Sequence, residues 1–412
     1  MSETADVVVV GAGAAGLATA IFTARLKPGL RVVVLDGAAK VGAKILVSGG
    51  GRCNVTHEAV EAADFWGGSP NVVRRILAAL PVDRTIAFFR EIGVTLHVED
   101  RGKLFPDSNS ARTVLDALLA EAARLGVELR AACRVTAVAR RDDLFQLATS
   151  GGDVSARKVV LATGGLSLPK TGSDGLGYQL ATSLGHTLVA TTPALEPLQL
   201  EGDFHVALSG VALPVEIAVR AAGRKPAVLE GPMLWTHFGI SGPAALDASR
   251  HWRRAKLENA AVTVTANLLP GHDFAALEAK LLQLVQAQPR THLRNVLSTL
   301  LPAKVVDALL ARLRVRGDVS MANVSREDRR TLVKALLEWP LPVAEGRGYN
   351  FAEVTAGGVP LAEVDPSTLE SRRGPGLYFT GEILDVDGRL GGFNFQWAWS
   401  SAWVVASALA RA

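Results

Sequence analysis

Cysteine is nearly absent from this chain of 412 residues, which holds only Cys53 and Cys133. Two cysteines exclude a disulfide-stapled secreted scaffold and point to a reducing compartment. The eight histidines are scattered without metal-ligand spacing. No Ser–His–Asp arrangement, internal repeat, low-complexity tail or aromatic-rich RNA-binding motif is visible. A true membrane run is lacking as well. Val7 to Ala24 carries no charge over eighteen residues, near the lower limit for a spanning helix. It follows Glu3 and Asp6 instead of basic residues and contains Gly11, Gly13 and Gly16. The expectation is therefore neither a secretory leader nor a membrane protein, but a cytoplasmic one.

The length allows two or three domains, and an apolar fraction of 49% with 20% charged residues fits a globular chain with a substantial core. Its organising stretch is Gly11-Ala12-Gly13-Ala14-Ala15-Gly16, which follows the apolar run Val7 to Val10 and opens a helical pattern, Leu17 to Arg25. In such a GxGxxG turn the first glycine makes the bend, the second lets a pyrophosphate approach the backbone, and the third allows close helix–strand packing. The helix N-terminus adds free N–H groups and partial positive charge. A second apolar run, Arg31 to Leu35, ends in Asp36, followed by Gly37. An acid at that distance accepts hydrogen bonds from a ribose and disfavours a 2′-phosphate. The pattern predicts a dinucleotide site.

Beyond Asp36, a loop rich in small residues is expected over 37–56. Helices are expected near Asn71–Leu80, Val82–Ile92 and Ser110–Leu125, the last capped by Asn109 or Ser110. Short strands follow at 127–130, 134–139, 145–149 and 158–162, the last ending at Ala162-Thr163-Gly164. From about residue 191 the grammar changes, with β-rich runs (about 191–267) and then helices (about 268–340). The chain resumes with a strand, Leu377–Thr380, and a final helix, Asn394–Ala410. The predicted fold is α/β. A doubly wound Rossmann-like domain is built from 1–190 and 346–412, interrupted by a mixed inserted domain over 191–345.

These motifs, taken in order, resemble FAD-binding flavoproteins of the glutathione-reductase structural type. Gly50-Gly51-Arg52 matches their second glycine doublet, Ala162-Thr163-Gly164 their "ATG" stretch, and Gly381-Glu382 their late glycine–acid motif. Longer strings resemble the BaiN/RdsA family of NAD(P)/FAD-dependent oxidoreductases. They are Lys44-Ile45-Leu46 with Gly49-Gly50-Gly51-Arg52-Cys53-Asn54, Thr236-His237-Phe238-Gly239-Ile240-Ser241-Gly242-Pro243, and Val354-Thr355-Ala356-Gly357-Gly358-Val359. Gly381-Glu382-Ile383-Leu384-Asp385-Val386-Asp387-Gly388 and Gly391-Gly392-Phe393-Asn394-Phe395-Gln396-Trp397 complete the set. The resemblance implies bound FAD and an inserted domain that is part β-barrel-like, part helical. It implies hydride transfer between flavin N5 and a substrate bound between insertion and nucleotide domain. Family members reduce an enone, oxidise a small amine, or reduce a uridine in ribosomal RNA. A protein with purely structural FAD is the reading from another class.

Individual residues carry paired readings. Arg52 either neutralises phosphate or flavin charge or pins its loop with an ion pair. Lys44 resembles a family lysine near the isoalloxazine and donates to ring or substrate, or is a solvated loop lysine. Cys53 lies in the glycine loop as a redox group or as a small buried residue. His237 is an acid–base candidate or is bonded to nearby backbone. Val135 occupies the position at which related flavoproteins pair backbone with adenine. Asn394 suits an N-cap, and with Gly392 and Phe393 would aim the last helix at the flavin. No second strand–GxGxxG–helix unit follows, so NADH or NADPH would act as a transient donor over the flavin, unless another donor or oxygen serves. Residues 288–334 hold ten Lys or Arg against four Asp or Glu. Such a surface binds RNA phosphates or is simply solvated.

Overall fold

The computed structural model describes residues 4–411. Its chain forms two compact units, Met1–Pro193 with Tyr349–Ala412, and Ala194–Gly348.

The first unit is built on a sheet that begins with β1 (Ala5–Val10). The helix α1 (Ala14–Leu26) follows, with residues 15 to 24 all buried. The long uncharged run is thus a central strand and a helix buried all round, which is why it imitates a membrane span. Next comes β2 (Val32–Leu35), parallel to β1. The segment expected to be a plain loop instead contains α2 (Ala43–Gly51), whose helical geometry breaks at Ser48. Gly49 and Gly50 there adopt φ of 56° and 69°, a left-handed backbone in which glycine avoids the Cβ clash. Later come β3 (Val154–Leu161), β4 (Leu377–Phe379) and the closing helix α3 (Phe393–Arg411).

Strand order explains how distant motifs meet. The sheet runs from Glu128–Arg130 through β2, β1 and β3 to the hairpin of Leu144–Thr149 and Val135–Arg141, while β4 also pairs with β3. Leu35 lies beside Val10, Val10 beside Leu161, and Leu161 beside Phe379, all in parallel register. Four strands therefore end side by side. The turns leaving them carry Gly11–Gly16, Asp36, Ala162–Gly164 and Gly381–Glu382, which come together at the carboxyl edge of the sheet, where parallel α/β folds bind ligands.

The second unit contains a seven-stranded antiparallel sheet. Its central strands, Ala212–Ala221 and Ala227–Thr236, pair over eight positions, and Val262–Asn267 flanks the first of them. Helices Phe274–Ala287, Ala303–Leu313 and Arg326–Leu337 stand where their periodicity places them. The β-rich reading needs one correction, since it also holds a helix, Pro243–Leu257. Its buried face is mostly Ala244, Ala245, Ala248 and Ala255 around Trp252. Alanine hides an amphipathic pattern because it counts weakly as apolar.

Candidate active site

The glycine turn is shaped by three different constraints. Gly11 has φ of 105°, and a Cβ there would stand 2.5 Å from the Ala162 carbonyl oxygen. A Cβ on Gly16 would collide with the carbonyl of Gly11 itself. Gly13 differs. It precedes α1 with ordinary extended backbone, and a Cβ there would meet nothing within 4 Å. Gly11 and Gly16 serve packing, while Gly13 keeps open the space before a helix N-terminus, where an anion is favoured. Ala14 and Ala15 form the first turn, and Gly381 packs against it, for a Cβ on Gly381 would lie 2.6 Å from that of Ala15.

Asp36 braces the turn. One carboxylate oxygen accepts from the Ala12 N–H at 2.7 Å and the other from Ala38 N–H at 2.8 Å. The residue is only half-buried, leaving lone pairs available to a ribose hydroxyl. Gly37, beside it, is exposed and abuts Arg134.

The residues fit an FAD dinucleotide. Open space at Gly13 is joined by exposed Gly50, whose added Cβ would also meet nothing within 4 Å. Polar atoms nearby lack a partner within the protein: Asn54 Oδ1, Thr163 Oγ1 and the Tyr178 hydroxyl are buried without a hydrogen bond. Such groups are costly unless a ligand or water satisfies them. Burial, then the nearby charge of Glu382, keeps the Tyr178 hydroxyl protonated well above its ordinary range.

A second polar group gathers around Lys44. Its ammonium donates to Ser167 Oγ and, at 2.5 Å, to Glu382 Oε2. Glu382 Oε1 accepts from Ser167 Oγ and from the Thr355 N–H, each at 2.9 Å. Thr355 Oγ1 in turn accepts from Leu166 N–H at 2.8 Å and Ser167 N–H at 3.1 Å. Ser167 and Thr355 are fully buried, whereas Lys44 keeps a quarter of its side chain exposed. Four segments far apart in sequence thus fix one cation. Lys44, Thr355 and Glu382 all stand in strings that the sequence singles out, but neither Thr355 nor Ser167 is marked there as a site residue, because nothing local marks a buried hydroxyl.

Other expected site residues take different places. Arg52 donates to Glu99 at 2.6 Å and stacks 4.0 Å from the Phe105 ring centroid, so its guanidinium pins the loop. The hydrogen bond holds the Glu99 carboxyl below its usual range. Cys53 turns into the core, and burial pushes its thiol up to about 12 against an opposing hydrogen bond with Ser48. Burial of this kind disfavours a thiolate nucleophile there. Val135 is buried at the start of its strand, with a bulge between it and Ala137. The N-cap role of Asn394 is corrected: α3 already begins at Phe393. Asn394 instead accepts from Gly388 N–H at 2.8 Å and donates to Gly388 O at 2.9 Å. Gly392 presses against the Thr56 carbonyl, and Phe393 is buried, stacked on His57 at 4.7 Å. α3 also steadies the acid motif: Trp397 Nε1 donates to Gly381 O at 3.1 Å, and Gly381 N–H donates to Ser401 Oγ at 3.0 Å. His237 is exposed in a hairpin turn of the second unit, with its ring edge-on to Phe238. No group of His, Cys, Asp and Glu suited to a metal occurs among the described residues.

Parallel strands ending in a glycine cradle, an acid and a late return strand define a Rossmann-type FAD-dependent oxidoreductase. Residues 5–408 match the HI0933-like protein Rossmann domain, and the chain belongs to that family. It is 37% identical to the ribosomal RNA dihydrouridine synthase of Escherichia coli, over 100% of this chain and 99% of that one. It is 33% identical to the 3-dehydro-bile acid delta(4,6)-reductase of Clostridium scindens, over 98% of both. Its fold is similar to that of 3-ketosteroid delta1-dehydrogenase from Sterolibacterium denitrificans, with TM-score 0.53, 13% identity and 99% of both chains covered. No helix among the described residues is long and apolar enough to cross a membrane.

Proposed function

We propose that this oxidoreductase saturates a carbon–carbon double bond conjugated to a carbonyl, and that its substrate is a uridine of ribosomal RNA. The supporting observation is full-length similarity to enzymes named for two such reactions. Dihydrouridine arises when the uracil ring loses a double bond next to its carbonyl. A 3-dehydro delta(4,6) steroid likewise presents double bonds conjugated to a ketone. Bound FAD supplies hydride at its N5 for this chemistry.

The chain's own residues divide the work. In the first unit, the FAD-binding domain, Gly11, Gly13 and the start of α1 hold the pyrophosphate. Asp36 holds a ribose, and the backbone around Val135 and Gly37 meets the adenosine end. Gly50 and Gly51, Thr163 and Gly164, Gly381 and Glu382, and the Gly392 turn surround the rest. Arg52 and Cys53 contribute through the loop they fix. NADH or NADPH reloads the flavin transiently, since the chain's one complete phosphate turn is committed to FAD.

The second unit serves substrate recognition. Arg290, Lys304, Arg312, Arg314, Arg326 and Lys334 are exposed and stand outside the ion pairs formed by Arg294 and Arg316. Arg314 even adopts φ of 57° at a helix end, a position that favours glycine. These cations suit an RNA backbone. A small apolar enone is the second reading, favoured by the bile acid reductase relative. Deleting the gene and measuring dihydrouridine in ribosomal RNA by mass spectrometry tests the choice. Loss of the base supports the RNA reading. Unchanged dihydrouridine with an accumulated unsaturated metabolite overturns it in favour of the small molecule.

A further inference from the structure

We infer that Lys44 binds the carbonyl oxygen of the substrate and stabilises the negative charge that collects there, with Ser167 and Glu382 as positioning residues. The inference rests on the conjugated-carbonyl reading above and adds which group of the chain answers it.

An ammonium has three N–H donors. Two are committed to Ser167 Oγ and Glu382 Oε2, which fix the direction of the third, and the side chain remains one-quarter exposed. Its surroundings are unusual for a surface lysine. Val47, three residues on and on the same helical face, is 52% exposed. Phe351 is 47% exposed and belongs to the segment whose Tyr349 carbonyl accepts from Leu168 N–H. A held cation in segments that also expose apolar side chains suits a flat ring bearing an oxygen acceptor.

The step balances. Bound FAD would supply a hydride to the carbon remote from the carbonyl, and the double-bond pair would move toward the carbonyl. The carbonyl oxygen then carries the negative charge as an enolate. Lys44 donates a hydrogen bond to that oxygen, and water delivers the proton that completes the carbon next to the carbonyl. A fixed cation meets this charge without reorganising, the arrangement by which preorganised sites lower barriers. Ser167 and Glu382 supply that fixity, because an unpaired lysine would spread over many rotamers.

The test uses 4-nitrophenol with the FAD-loaded protein, since its own absorption separates phenol from phenolate and needs no turnover. The wild type should favour the bound phenolate by about ten- to a thousandfold, as an opposite charge at close range does. Lys44→Met should lose this preference and Lys44→Arg should recover part of it. Ser167→Ala, which leaves the charge in place, should retain an intermediate preference. Flavin content and thermal midpoint, read on each variant, separate loss of the cation from loss of the fold. Cyclohex-2-enone reduction by the wild type distinguishes the two levels of the reading. Enone reduction together with a phenolate preference that is absent, or unchanged in Lys44→Met, overturns the lysine assignment alone. Reduction of neither cyclohex-2-enone nor ribosomal RNA uridine, with no phenolate preference, overturns both.

Discussion

Replacing Gly13 by valine separates cofactor binding from folding. The residue sits at φ −82° and ψ −169°, an extended backbone that β-branched residues adopt readily. Its missing Cβ faces open space, with no protein atom beyond its chain neighbours within 4 Å of that position. Loss of glycine before the helix costs at most about 1 kcal/mol of stability. The effect on FAD is larger. A side chain here stands between the pyrophosphate and the α1 N–H groups. Two charge-assisted hydrogen bonds, at about 1.5 to 3 kcal/mol each, are then lost. A weakening of about 3 to 6 kcal/mol is a hundredfold to ten-thousandfold rise in Kd, at about 1.4 kcal/mol per tenfold. Titrating the apoprotein with FAD measures it, and a thermal melt of the same apoprotein checks the fold. Gly16→Val supplies the contrast, since its side chain would strike the Gly11 carbonyl and lower the apoprotein melt itself. A Gly13→Val protein that purifies with full flavin and wild-type affinity would refute the placement of the pyrophosphate.

Other expectations are as direct. Asp36→Ala removes the acceptor of both Ala12 and Ala38 N–H groups, so it should lower apoprotein stability by about 1 to 3 kcal/mol and weaken FAD as well; unchanged denaturant midpoint would sink the bracing role. Burial pushes the Glu363 carboxyl up, but hydrogen bonds from Arg373, Thr187 and His186 outweigh it and bring it down to about 2. Its folded value is below its unfolded one, so its stabilisation is present above about 4.5 and fades as pH falls toward 2. Glu363→Gln should therefore flatten the melting temperature's fall over that acid range, and an unaltered acid limb would contradict the linkage. Changing Arg290, Arg312 and Arg314 together to alanine should weaken binding of ribosomal RNA fragments and make it less salt-dependent, by about three counterions at most. Filter binding across salt concentrations reads this, and a wild-type slope would exclude these arginines from the interface.

The sheet and its phosphate turn were legible because their determinants are local. Glycine spacing, apolar runs and the acid at Asp36 each act within a few residues of where they stand. The three long helices of the second unit were legible for the same reason, through unbroken apolar periodicity. Helix Pro243–Leu257 was not, because alanines make its buried face. The Lys44 group shows the other limit. Its members lie at 44, 167, 355 and 382: the parallel register of β3 and β4 brings together the segments that carry Ser167 and Glu382, and hydrogen bonds tie Lys44 and Thr355 to them. Arg52 shows how a correct motif leaves a role open: the glycine loop is present, yet its guanidinium meets Glu99, a residue no motif singles out. Asn394 departs from its expected N-cap role because a good N-cap residue also bonds well inside a first turn, and here the loop at Gly388 takes it.

If this chain holds FAD in the β1–α1 cradle and passes hydride to a double bond conjugated to a carbonyl, flavin oxidation and product formation must run one to one. The most direct measurement is anaerobic: the purified, FAD-loaded protein is reduced and then mixed with ribosomal RNA from cells lacking it. The oxidised flavin band should return while dihydrouridine appears in equal amount. A reduced flavin that stays bleached with this RNA and with cyclohex-2-enone alike, yet reoxidises in air, would contradict it.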